Sequence, residues 1–233
     1  MIESKKFLSL CARNIKCYFK NKFMFFVSMI TPLILLVLYA TFLRNVYIDG
    51  FKLSIPEGME VDGRIIEGIT GAWLMSSILS VSAVTVAFCS NIVMAEDKMT
   101  GAVNDFYVSP VKGTAVSVSY FIANFLVTLL VLTCIMTIGF IYLAAVGWFI
   151  PAKDVFLIFI DLIINILFGT LFAAVVESFI KNQGGISAVS TLISSMYGFI
   201  CGAYMPISQY SPALANILCC LPGTYGGLCA PIL

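Results

Sequence analysis

Residues 116–146 read VSVSYFIANFLVTLLVLTCIMTIGFIYLAAV and contain no charged side chain. A helix needs about 20 apolar residues to cross the hydrocarbon core of a bilayer, so this run is long enough to span a membrane at a tilt. The whole chain agrees, because 61% of its 233 residues are hydrophobic and only 11% are charged. A soluble domain is about 45–50% apolar and about 25% charged. The sequence therefore predicts an all-α integral membrane protein.

The composition also excludes several classes of function. The net charge is only +1, which is too low for the broad basic surface that a nucleic-acid partner requires. The chain has no histidine, which excludes histidine-based catalysis and histidine metal sites. The phosphate-binding pattern Gly-x-x-x-x-Gly-Lys-Ser/Thr is absent, so the chain does not bind ATP in that manner. We expect no catalytic residue, no metal site and no bound cofactor on this chain.

Four other apolar runs complete a single membrane domain, which we assign to residues 1–233. These runs predict further transmembrane spans at 23–43, 71–95, 155–176 and 186–205. The polar residues at 96–113 form a loop on the same side of the membrane as the N-terminus. From residue 206 onward, prolines and glycines interrupt every apolar run. Segment 206–233 therefore predicts short external or re-entrant helices and no sixth span.

The first 22 residues combine six basic side chains with one acidic side chain. Phe7, Cys11, Ile15 and Tyr18 share one face of a predicted helix, and several basic residues occupy the other. This pattern predicts an amphipathic helix over 1–22 that lies in the membrane interface, with a plain basic flank of the first span as the alternative. Because basic residues concentrate on the cytoplasmic side, either interpretation places the N-terminus in the cytoplasm.

Hydroxyl residues are unusually frequent in span 71–95 and include Ser77 and Ser80. They indicate either close helix packing or a polar surface of a translocation path. Close packing of such a small-residue face needs a neighbouring helix. Five spans also enclose no obvious pathway alone, so we expect a functional unit of two such membrane chains, identical or homologous.

An acidic residue, Asp161, lies within span 155–176, and Asn165 follows one helical turn later on the same face. An ionisable group inside a span is a functional candidate by default, so both residues are candidates for the translocation path. The alternative is that Asp161 lies near the outer interface, within reach of water and Lys153.

The loop at 96–112 reads EDKMTGAVNDFYVSPVK. Met99, Val103 and Phe106 recur at helical spacing, which predicts a short amphipathic helix over 99–108. Ser109-Pro110 ends this helix, because a residue before proline avoids the α conformation. A helix this short needs a surface to dock on, and its mixed charges favour a protein partner over an anionic lipid surface.

At this point the loop resembles the coupling-helix motif of ABC-2 type transporter permeases. Gly101 and the triplet Ser-Pro-Val at 109–111 match that motif. Segments 202–208 and 221–225 resemble the family's Gly-x-x-x-Pro-x-Ser and Leu-Pro-x-Thr segments. The chain departs from the family at 104–107, where Asn-Asp replaces a charged pair and Phe-Tyr replaces aliphatic residues. These departures suggest a docking surface tuned to a particular partner.

The resemblance implies the membrane half of an ATP-driven exporter in the plasma membrane. It implies two partners, a cytosolic ATPase subunit that binds ATP and Mg²⁺, and a second permease chain, homologous or identical. The short external loop at 44–70 is similar to that of drug exporters, so the expected substrate is a drug, a peptide or another amphiphile. The resemblance assigns ATPase coupling to Met99, Gly101, Val103, Asp105, Phe106, Ser109 and Pro110.

Three questions stay open at the level of sequence. The family has six spans, so we expect that this chain is truncated after its fifth, with a five-span variant as the alternative. Cys219, Cys220 and Cys229 could form a disulfide whose pairing the sequence does not decide. The chain could also be a non-transport membrane anchor that recruits a cytosolic protein through 96–112. A proton-coupled carrier is a weaker third reading, because only one acid is buried and no repeat is present.

Overall fold

The computed structural model describes residues 2–39, 41, 44–45, 48, 63–103, 113–146, 152–180, 182–204 and 210–224. Within these ranges the chain forms helices and no strand, which confirms the all-α prediction. The main helices are α1 (Ile2–Lys20), α2 (Lys22–Leu38), α3 (Gly63–Ser90), α4 (Ile92–Met99), α5 (Gly113–Val146), α6 (Ala152–Ser178), α7 (Gln183–Ile200) and α8 (Pro212–Leu218).

Three helical segments in the described part of the chain are long and apolar enough to cross a membrane. They are Thr70–Met99, Gly113–Ala144 and Val155–Ser178, which correspond to the second, third and fourth predicted spans. Helix α2 reaches that length only together with α1, from which it is bent by 69°, and α7 is apolar but shorter. The predicted count of five spans therefore stays a prediction, whereas the multi-pass membrane architecture is confirmed.

Helix α3 occupies the centre of the bundle and packs against α2, α5, α6 and α7. Every side chain from Met75 to Phe88 is buried within one chain. The small hydroxyl residues of this helix allow its neighbours to approach closely. The small-residue face therefore gives no reason to expect a second chain, because helices of the same chain already cover it. The expectation of two chains itself stays a prediction.

Helices α3 and α6 run parallel and in close contact. A Cβ atom on Gly169 of α6 would lie 3.0 Å from the main-chain oxygen of Ala83 and 3.1 Å from Cα of Val84. Eight residues further along both helices, the side chains of Asn91 and Glu177 meet. The two contacts keep the same register, so the helices advance together towards one end of the bundle. We call this end, where α6 ends and α5 and α7 begin, the loop end.

The outward faces of α5 and α6 are apolar, as contact with lipid requires. On α6, the side chains of Phe156, Ile164 and Val175 are among the large exposed groups, and on α5 Ile141 is the most exposed of them. Most of the buried polar side chains belong instead to α3 and to the surfaces that touch it. The bundle thus has a polar-containing centre and an apolar exterior.

Helix α1 lies across the loop end and packs against α5, α2 and α4. Its buried side chains are Cys11, Asn14 and Tyr18, and the Tyr18 hydroxyl lies 2.6 Å from Ser28 Oγ of α2. Part of the apolar face that the sequence assigned to the membrane surface is therefore covered by protein. Leu8 of the same helix is 68% exposed. The interfacial position of α1 stays a prediction.

The far end of the bundle holds the segment after α7. Tyr210 donates a hydrogen bond of 3.2 Å to the main-chain oxygen of Phe199, and the buried Thr224 hydroxyl donates one of 2.7 Å to Leu218. The first bond ties the segment to the end of α7, and the second closes a turn within the segment after α8, which is the predicted short helix. Cys219 and Cys220 have free thiols, and Cys229 lies outside the described residues.

Candidate functional site

The predicted coupling loop begins at a helix end and not at a helix start. Met99 is the last residue of α4, and the Thr100 hydroxyl and amide both donate to the main-chain oxygen of Glu96 at 2.9 Å. Gly101 follows with φ of 77°, a left-handed conformation that ends helices. The prediction of one continuous helix from Met99 is therefore wrong in its first turn.

The remaining coupling residues divide at the boundary of the described chain. Val103 follows Gly101 in a short helical segment and is half-buried. Asp105, Phe106, Ser109 and Pro110 lie outside the described residues. The part of the loop that the structure shows is therefore its attachment to the bundle, through α4.

Helix α4 is an eight-residue arm that continues the central helix α3 beyond Asn91, whose own backbone is helical. Asn91, at the base of the arm, is held from the side, because its Nδ2 donates a hydrogen bond of 2.9 Å to Glu177 Oε2 of α6. The Ser190 hydroxyl of α7 donates to the main-chain oxygen of Ile186 at 2.7 Å and also lies 3.5 Å from Glu177 Oε1, the other carboxylate oxygen. The base of the arm is thus joined to two further helices through one carboxylate.

Glu177 is only 2% exposed, although an acidic side chain is seldom buried without partners. The fourth predicted span ends at 176, one residue before Glu177, whereas α6 continues to Ser178 and so includes it. The sequence does contain a sign of this position. The apolar residues of the fourth span continue at helical spacing directly up to Glu177, with no turn residue before it. Its partner Asn91 is buried too, so the hydrogen bond between the two helices is shielded from water.

The tip of the arm carries a second polar contact. The guanidinium of Arg13 in α1 donates two hydrogen bonds to the carboxylate of Asp97. The distances are 2.5 Å from Nη1 to Oδ2 and 3.0 Å from Nη2 to Oδ1. Tyr120 of α5 donates its hydroxyl hydrogen to Asp97 Oδ2 at 2.5 Å. Charge-assisted, two-pronged contacts of this kind are the strong ones among protein hydrogen bonds. We call these three residues the tip latch.

A buried hydrogen bond lies directly beside the tip latch. Asn14 Nδ2 donates to Ser119 Oγ at 3.3 Å, and Ser119 in turn donates to the main-chain oxygen of Val116 at 2.7 Å. Consecutive residues of α1 therefore bind α4 and α5. The sequence did not reveal this site, because Arg13 and Asp97 are 84 residues apart. Each of them also lies among other charged residues, as expected of a helix face exposed to water.

The residues predicted for a translocation path lie away from the loop end. Asn165 is 1% exposed and donates from Nδ2 to the main-chain oxygen of Asp161 at 3.0 Å. Asp161 is half-buried on α6. Ser77 and Ser80 are each 1% exposed inside the chain, which fits close packing. A translocation role for these four residues stays a prediction.

The polar contacts at the loop end join helices to one another. Among the described residues, no three histidine, cysteine, aspartate or glutamate side chains group so that they could hold a metal ion. The polar contacts instead connect helices: the base of α4 to α6 and α7, and its tip to α1 and α5. A displacement of the loop would reach each of these helices through α4.

Comparison with known proteins agrees with this architecture. The family described as ABC-2 type transporter matches residues 5–227 of the chain. No curated protein and no solved structure matches it. The match covers nearly every helix, including the arm and the segment at the far end. The chain therefore belongs to the ABC-2 type transporter family and is the membrane-spanning permease component of an ABC transporter.

Proposed function

We propose that this permease exports an amphiphile, such as a drug or a peptide, across the plasma membrane with energy from a separate cytosolic ATPase. The observation that carries the proposal is the family match across residues 5–227. The loop at 96–112 is its point of contact with the ATPase, and the N-terminus lies on the same, cytoplasmic side. ATP and Mg²⁺ bind to the ATPase, since this sequence carries no phosphate-binding loop.

The functional unit in this proposal contains two permease chains and two ATPase subunits. Support for the second permease comes from the family and no longer from the small residues of α3, which pack within one chain. The large exposed apolar side chains on α6 and α7 leave both helices free to face lipid or another chain.

Phe106 tests the contact with the ATPase. Burying an aromatic side chain in a cleft of the partner is worth roughly 1.5–3 kcal/mol, and a few such anchors dominate many interfaces. We expect Phe106→Ala to reduce co-purification of the ATPase or to uncouple ATP hydrolysis from transport, at unchanged membrane abundance. Asp105→Lys should have the smaller effect, because rim charges set register and association rate more than affinity.

The matched comparison is wild type against Phe106→Ala, measured at equal abundance by ATPase co-purification and by substrate-stimulated hydrolysis. Unchanged values of both quantities would contradict the proposed contact. They would favour instead a membrane anchor whose loop serves another purpose.

A further inference from the structure

We propose that the tip latch, formed by Arg13, Asp97 and Tyr120, transmits movement of the coupling loop from α4 to α1 and α5. The inference rests on the proposed function, because it concerns how the same loop acts on the membrane helices. It assigns a positioning role to three residues, of which Arg13 and Tyr120 lie outside the loop at 96–112 and Asp97 lies at its start.

The covalent connections of the arm do not reach α1. Helix α4 follows α3 directly and leads to the loop, whereas Arg13 stands 84 residues earlier in the chain. A push on Met99 would therefore move α1 only through noncovalent contacts. The bidentate ion pair to Asp97 is the strongest of these that joins the two helices.

The latch lies at the end of the arm that is nearest the loop. Asn91 is held through Glu177 at the base of α4, and Asp97 stands six residues further, two residues before the last residue of the helix. At 1.5 Å per residue, the two points are about 9 Å apart. A displacement of the loop therefore reaches the contact at Asp97 before it reaches the contact at Asn91.

The arm also has space beside it. A cavity of about 100 Å³ lies between α4 and the start of α5, lined in part by Met94, Lys98, Val103 and Val116. Close-packed interiors resist displacement, whereas a gap of this size allows neighbouring side chains to shift. The arm can therefore move relative to α5 without first breaking a packed core, while the Tyr120 contact keeps the two helices connected.

The first test asks whether the latch holds α1. Cys11 of α1 is 8% exposed and lies two residues before Arg13, so it reports whether α1 stays in place. The experiment uses a chain in which the other seven cysteines are replaced, reconstituted in nanodiscs that leave both membrane faces accessible. A charged methanethiosulfonate measures the modification rate of Cys11. We expect Asp97→Asn and Arg13→Gln each to raise this rate about tenfold, the effect of losing one charge-assisted contact.

Two further variants separate ion pairing from general damage. The double variant Arg13→Asp with Asp97→Arg restores opposite charges and should return the Cys11 rate close to that of the parent. Glu96→Gln changes an exposed neighbour on the same arm and should leave the rate unchanged. The proposal would be overturned if Cys11 in Asp97→Asn were modified as slowly as in the parent. It would also be overturned if Cys11 in the double variant were modified as fast as in Asp97→Asn.

The second test asks whether the latch transmits. With the ATPase bound, ATP should change the Cys11 modification rate in the parent, and Asp97→Asn should abolish that change while the ATPase still co-purifies. An equal response in both chains, or no response in the parent, would overturn transmission through the latch. Loss of ATPase binding in Phe106→Ala, where the latch is intact, concerns the proposed function instead. The two failures are thus distinguishable.

Discussion

At the scale of single residues, Gly169 controls how closely α6 approaches the central helix. Because glycine has no side chain, the backbone of α3 can lie close to α6 here. A Cβ atom at this position would lie only 3.0 Å from the main-chain oxygen of Ala83. Small residues at helix contacts are the means by which membrane helices gain packing energy, since lipid supplies no hydrophobic driving force between them. Hydropathy alone does not single out this glycine, because it depends on which face of α6 meets α3.

We expect Gly169→Val to destabilise the protein by about 1–3 kcal/mol, because the added branch must push two backbones apart. The measurement is the thermal midpoint in detergent, followed by fluorescence-detected size exclusion. Gly184→Val is the matched control, since a Cβ atom there has no neighbour within 4 Å. Equal midpoints for the two variants would show that α3 and α6 are not in contact at Gly169.

At the scale of elements, hydropathy predicts the three long helices with boundaries close to those observed, because an apolar run has few other ways to satisfy its backbone in lipid. Hydropathy did not predict how far the second helix extends beyond the predicted span end at 95. The polar residues up to Met99 continue the helix, and their contacts lie far away in sequence, since Asp97 binds Arg13, 84 residues earlier. Gly101 gave the correct signal for a helix end, but the spacing of Met99 and Val103 suggested a helix through it.

The carboxylate of Glu177 gives the element-scale prediction, because it joins the base of α4 to α6 and α7. Asn91→Asp should destabilise the protein by about 1–3 kcal/mol, since a buried donor becomes a second acceptor. Adding Glu177→Gln to that variant restores one amide and one carboxylate and should recover most of the loss.

Thermal midpoints of the parent, of both single variants and of the double variant give this interaction energy as a double-mutant cycle. Ser178→Ala is the control, because the exposed Ser178 hydroxyl bonds only within its own helix, to Val175. If Asn91→Asp proved as stable as the parent, the base of the arm would be held by something other than this pair.

At the scale of the whole molecule, the two ends of the bundle carry different kinds of residues. The loop end carries α1 with its lysines and the coupling loop, and the far end carries α8 and the thiol of Cys220. Basic residues concentrate on the cytoplasmic side of membranes. The proposed function requires the loop end there as well, because an ATPase in the cytosol must reach it.

This orientation predicts opposite labelling of two exposed positions. In intact cells, an impermeant maleimide should modify Cys220 when it is the chain's only cysteine. The same reagent should not modify Lys16→Cys, placed on the exposed face of α1 in a chain without other cysteines. Opening the cells should expose the second position and so serve as its positive control. Labelling of Lys16→Cys in intact cells would place the loop end outside, where no cytosolic ATPase could engage it, and the proposed coupling would fail together with the orientation.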